Sequence, residues 1–240
     1  MFLLALAAAT ITSALGVRPD ASLIECRLTA DDLDYHTSKT RLLVIGVAPQ
    51  AKPLPRGFSL SVVPSPAPAA AYPPAGDAYG GPYAEAAYLW RWIGMHAPDL
   101  VVEYRPGGPR AWYLPLDVNL PLQPQHRLAP SSELVSQLGR LAPSGTGTIP
   151  ALRVHGDPDF LPALLTALQK AKFRGPSPAR KEIQRRLARS PLEVARQLAA
   201  VYGHDLDQAV YIPALALVGR LRLGELADVE RIVAPYFSGA

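Results

Sequence analysis

With 240 residues the chain can bury a full core, as one large domain or as one domain with a smaller attachment. Apolar residues make up 49% and charged residues 18%, which excludes a disordered polyelectrolyte, and 26 prolines without a repeat imply long loops and short elements rather than a fibre. The net charge of +4 is unevenly placed, with nine of the 24 basic residues between Lys170 and Arg196 against only Glu182 and Glu193.

The first sixteen residues, MFLLALAAATITSALG, are apolar and then small, and Ala14-Leu15-Gly16 has the small-x-small shape of a signal-peptidase site. They predict a signal peptide over residues 1–16 and, with it, a secreted or periplasmic mature chain; a buried N-terminal helix and an uncleaved anchor are the alternatives. The stretch is short for a membrane span, and nothing later reads as one. Cys26, the single cysteine, excludes an internal disulfide and a Cys-rich zinc site, and reads as a small buried hydrophobe near a strand.

Arg41 to Val47 (RLLVIGV) is a short apolar, β-branched run and predicts a buried strand. Phe58 to Val63 (FSLSVV) predicts a second, stopped by Pro64. Pro64 to Tyr83, rich in proline, alanine and glycine, predicts an extended surface loop. Tyr83 to Ala97 predicts a helix whose face is Ala86, Leu89, Trp90 and Ile93, with Trp92 on another side. Leu100 to Tyr104 then predicts a strand, Arg110 to Leu114 a further short one, and Ser131 to Leu141 a helix opened by a serine cap. Thr148 to Val154 predicts another strand, and Pro158 to Lys172 a helix capped by Asp157.

Phe173 to Pro178 reads as a linker, and after it the patterns are helical only: Ala179 to Arg189, Pro191 to Tyr202 with Ser190 as cap, Asp207 to Leu223, and Glu225 to Phe237. Alternation up to Lys172 followed by helices alone predicts an α/β domain over 17–172, a basic linker and helix over 173–189, and a short all-helical segment over 190–240.

Chemistry is sparse in the sequence. His36, His96, His126, His155 and His204 are too widely spaced for an HxxH or HExxH unit. No phosphate-cradling glycine pattern or nucleophile elbow is present. Glu103 and Arg105 leave the end of the LVVEY strand, where open α/β sheets build their sites. Two residues apart on a strand they share a side, so they can pair with each other or hold a carboxylate ligand; Arg110 follows across Pro-Gly-Gly-Pro. These three are the candidate substrate-binding residues, with no catalytic and no metal-binding residue assigned.

The run VVPSPAPAAAYPPAGDAYGGPYAEAAYLWRWIGMHAPDLVVEYR resembles the central part of the zinc carboxypeptidase family, in particular its aspartoacylase and succinylglutamate desuccinylase type. Val62-Val63-Pro64 matches a strand end, Glu85 the start of the following helix, and Leu100 to Arg105 the strand that brings the third zinc histidine. The resemblance covers about residues 40–172 and implies a three-layer carboxypeptidase-like core. The family's HxxE ligand pair is missing where Ile45-Gly46-Val47 runs into Ala48-Pro49-Gln50. The third-ligand position falls at Arg105, which cannot ligate zinc, and the general-base position offers Arg153 or His155. The core is therefore expected to be partly degenerate, a pseudoenzyme without zinc that binds a peptide or acyl-amino-acid carboxylate. The helices from Ser190 resemble faintly the opening of an α/α-toroid unsaturated uronyl glycoside hydrolase.

Two alternatives accompany that reading. One is an active zinc metallohydrolase with ligands rearranged among His36, His96, His126, His155 and Glu85 or Glu103. The other is a basic helical module in which the Lys170 to Arg196 segment meets an anionic partner. Without aromatic interleaving, nucleic acid is not the expected partner.

Overall fold

A computed structural model describes residues 11–28, 34–48, 54–75, 81–115, 118–141, 145–208 and 210–237. The chain divides into two compact units, Met1–Gln184 and Arg185–Ala240.

The first unit is a mixed α/β fold. Its strands are β1 (Ile11–Val17), β2 (Leu23–Leu28), β3 (Thr40–Ile45), β4 (Phe58–Val63), β5 (Leu100–Leu114), β6 (Gln125–Arg127) and β7 (Ala151–Gly156). Helices α1 (Ala84–His96), α2 (Leu134–Leu138) and α3 (Leu161–Lys170) interrupt them. The sheet runs β1-β2-β4-β3-β5, with β3 parallel to β4 and to β5, while the β1–β2 hairpin adds antiparallel to β4. The apolar run of β3 is buried along its whole length, as a central parallel strand covered on both faces requires.

The two strands expected at Leu100 to Tyr104 and Arg110 to Leu114 are arms of the single element β5, turned at residues 106–110. Its first arm ascends beside β7 (Glu103↔Arg153, Arg105↔His155), and its second returns along β7 in descending register (Ala111↔His155, Tyr113↔Arg153). β7 therefore lies between the arms, and β6 pairs with the returning one. Gly156 permits this wrap: its φ is +102°, and a Cβ there would lie 2.8 Å from the Arg110 Cα.

Each sheet face is closed by a layer. Leu43, Ile45, Val63, Val101 and Ala151 pack under α1 and α2; Leu42, Val44, Val102, Trp112 and Val154 pack under α3 through Phe160, Leu164 and Leu168. In α1 the buried tryptophan is Trp92, at 6% exposure and stacked on His96, whereas Trp90 is half-buried against Tyr72. The expected assignment of the two is thus reversed, because α1 turns the stripe of Leu89 and Trp92 into the core while the loop carrying Tyr72 leans on Trp90.

Neither expected cap on α2 or α3 forms. The Ser131 Oγ accepts from the Glu133 N–H, and the Asp157 carboxylate accepts from the Asp159 N–H, so each closes a turn before its helix. Residues 173–178, expected as a linker, are tied to the starts of β3 and β5: the Gly175 N–H donates to Thr40 Oγ1 and the Ser177 N–H to Asp99 Oδ1. At this end Arg180 pairs with Asp99 at 2.9 Å, with side chains 1% and 0% exposed.

Of the segment expected as a signal peptide, residues 1–10 lie outside the described residues and Ile11–Val17 forms β1. Gly16 is pressed against the Tyr88 ring, where a Cβ would sit 2.3 Å from its Cγ. Cys26 pairs with Ser13 in the β1–β2 register, and its side chain lies outside the described residues.

Helix α4 (Pro178–Leu187) carries the chain across the division. The second unit contains α5 (Pro191–Ala199), α6 (Tyr211–Arg222) and α7 (Leu226–Phe237), around Leu217, Val229 and Ile232. Ser190 caps α5 as the sequence predicts, in a reciprocal capping box with Glu193. No helix among the described residues is long and apolar enough to cross a membrane.

Candidate functional site

Side chains on β5 alternate, so Val101, Glu103 and Arg105 share the face covered by α1 and α2. The cross-strand register extends that face into a row: Ile45, Glu103, Arg153, Tyr113 and His126 stand side by side on β3, β5, β7, the return of β5, and β6. Arg105 and His155 form the next row toward the strand ends. The apolar face of the sheet thus becomes polar at the C-terminal ends of its parallel strands, the general position of a site in an open α/β sheet.

Glu103 is 2% exposed and holds both carboxylate oxygens against guanidinium groups: Arg105 Nε donates to Oε1 and Arg153 Nε to Oε2, each at 2.9 Å. Glu133, which precedes α2, closes the other side, 3.1 Å from Arg105 Nη2 and 3.1 Å from Arg153 Nη2. Two carboxylates and two guanidiniums form a neutral quartet. A lone buried carboxylate at Glu103 would be strongly disfavoured; two charge-assisted contacts offset its desolvation.

The quartet has a buried half and an open half. The side chains of Glu103 and Arg153 are 2% and 7% exposed, those of Arg105 and Glu133 42% and 41%. The open half borders a cleft of about 450 Å³ lined by residues 67–72, Tyr83, Glu103, Arg105 and residues 132–134. Arg105 and Glu133 carry its exposed charge, and four alanines with Leu134 make much of its wall apolar.

The electrostatics follow the pairing. Burial alone would raise the Glu133 carboxyl, but Arg153 and Arg105 outweigh it and hold it below the ordinary range. Burial would lower Arg105, and Glu103 with Glu133 outweighs that in the opposite direction. The His155 imidazole is pushed down by burial and then by Arg153 and Arg105, with Glu103 opposing. Burial, with the Glu103 charge, pushes the Tyr72 phenol up, so it stays protonated at the wall of the cleft. The rings of Tyr113 and His155 lie 4.8 Å apart and those of Tyr113 and His126 5.0 Å apart, an aromatic set flanking the quartet.

Of the three residues expected to bind substrate, Glu103 and Arg105 meet at the cleft. Arg110 does not line it; at the end of the β5 turn, its guanidinium lies 3.6 Å from Asp157 and bonds the Asp159 carbonyl. Glu133 gave no signal in the sequence, and Arg153 registered there only as an occupant of the general-base position. Their role depends on sheet register and on where α2 lands.

The zinc implied by the sequence resemblance does not fit these residues. The strand ends present two guanidiniums, and both Glu103 oxygens are already engaged by them. Among the described residues no three of His, Cys, Asp and Glu gather into a metal-holding group. His96 stacks on Trp92, His126 and His155 both lie against Tyr113, and Glu85 pairs with Arg18, so among the described residues no three of the rearranged ligand candidates gather. No protein-family model, curated protein or solved structure matches the chain.

Proposed function

We propose that the first unit is a carboxypeptidase-like domain that binds a small carboxylate ligand in the cleft at Arg105 and does not hydrolyse it through zinc. The observation that carries this reading is Arg105 itself: a guanidinium 42% exposed at the cleft wall and fixed from behind by the buried Glu103. Its Nε and Nη2 are engaged by Glu103 and Glu133, which leaves Nη1 to meet a ligand oxygen. The placement of the Ile45, Arg105 and Arg153 strand ends in adjacent strands supports the carboxypeptidase-like reading, because these are the positions at which the resemblance expects ligands and base.

The test is calorimetric titration of the whole chain with L-leucine and N-acetyl-L-leucine, each against its C-terminal amide, together with zinc content after dialysis against trace zinc. At least one acid should bind roughly tenfold more tightly than its amide, a difference typical of a hydrogen bond to a charged group, and Arg105→Ala should abolish the difference. Equal binding of acids and amides, or one zinc held per chain and lost in Glu103→Ala, rejects the reading.

A further inference from the structure

The open half of the quartet is dipolar, and this restricts which carboxylates can enter. Arg105 faces the cleft beside Glu133, whose Oε1 lies 3.1 Å from the same guanidinium. A ligand bearing only a carboxylate would gain Arg105 at the cost of placing its charge against the Glu133 carboxylate. Glu133 is held ionised by Arg153 and Arg105, so protonation does not relieve that repulsion near neutral pH. A ligand with a cation beside its carboxylate meets the opposite situation, since each of its charges finds a partner and the neutral quartet stays neutral.

Building on the carboxylate-binding reading, we infer that the cleft selects a zwitterion, a free α-amino acid whose carboxylate bonds Arg105 and whose ammonium bonds Glu133. One tetrahedral carbon separates the two charges of such a ligand, which suits a guanidinium and a carboxylate that already touch. The ligand replaces neither buried partner: Glu103 and Arg153 remain paired behind it. Room for the side chain comes from the apolar wall at residues 67, 69–71 and 134 and from the Tyr72 ring, and about 450 Å³ holds a medium-sized amino acid. Acyl-amino acids and the C-terminal carboxylates of peptides, which lack the adjacent ammonium, are disfavoured by Glu133.

The wild-type chain tests this without any variant. L-Leucine should bind roughly tenfold to a hundredfold more tightly than N-acetyl-L-leucine, and L-leucinamide should also be weak. Glu133→Gln keeps the side chain's size, so it should collapse the gap between leucine and N-acetyl-leucine while preserving that between leucine and leucinamide; tryptophan fluorescence verifies that the variant is folded. N-acetyl-leucine binding as tightly as leucine, or a gap that survives Glu133→Gln, overturns the zwitterion inference and leaves the carboxylate reading standing. If neither acid outbinds its own amide, both fail together.

Discussion

In the first unit Leu42, Leu43, Val44 and Ile45 are exposed by 1% or less, whereas in the second Tyr211, Ile212 and Leu215 remain 74%, 65% and 63% exposed. The contrast follows from layering. A sheet with helices on both faces gives β3 neighbours above and below, while α6 directs Leu217 toward α7 and leaves apolar residues on its other sides. The charges differ in the same way. The first unit buries Asp99, Glu103, Arg153 and Arg180 in pairs, and among the described residues the second buries one cation, Arg220, bridged to the part-exposed Glu225 and Asp228. The first unit should therefore be sensitive to the loss of one buried charge, and the second should depend on a small core and on the capping box of α5.

Three measurements break or sharpen that contrast. All three tryptophans, Trp90, Trp92 and Trp112, lie in the first unit, so their fluorescence follows that unit alone, while far-ultraviolet dichroism follows both. The largest effect is expected for Asp99→Ala, which strands the buried Arg180 and should cost the first unit about 3–5 kcal/mol in urea unfolding read by tryptophan. A loss below about 1 kcal/mol would mean that the sheet layers alone hold this end together.

A smaller effect comes from acid. Burial and then Arg41 push His96 down to about 4. Below its ordinary value near 6.5 the unfolded chain takes the proton first, so stability is full above that pH, declines as pH falls toward 4, and then levels. The loss should reach at most about 3 kcal/mol, and His96→Gln should flatten the slope in the tryptophan signal. The smallest effect is Ser190→Ala, which removes the capping box of α5 and should cost about 1 kcal/mol in the dichroism transition of the helical unit, with the tryptophan midpoint unmoved.

Local chemistry made much of the architecture legible. FSLSVV is the strand Phe58–Val63, and Ser190-Pro191 opens α5. The helices at 84–96 and 161–170 follow from their apolar spacing to within a few residues. The site was legible by half. Two residues apart on one strand, Glu103 and Arg105 must share a side, and they pair, one of the two outcomes that spacing allows. Their other partners were hidden because Arg153 lies 50 residues beyond Glu103 and meets it only through the β5–β7 register. The return of β5 was hidden for a related reason: Pro-Gly-Gly-Pro announces a turn without saying which strand it will straddle. The buried Arg180 looked like any other member of a basic helix, since only the position of Asp99 at the end of the sheet distinguishes it.

The placement of β7 between the two arms of β5 also governs the order of assembly. When synthesis has reached residue 150 both arms exist, but each lacks the neighbour that will satisfy its backbone on that side. The gap closes only when residues 151–156 arrive, more than 35 residues after the end of the second arm. Until then the emerging chain displays two open strand edges bordering apolar residues, the species most prone to pair with another copy. Residues 151–156 thus act as a keystone, and nascent chains halted before them are the form expected to need chaperone protection.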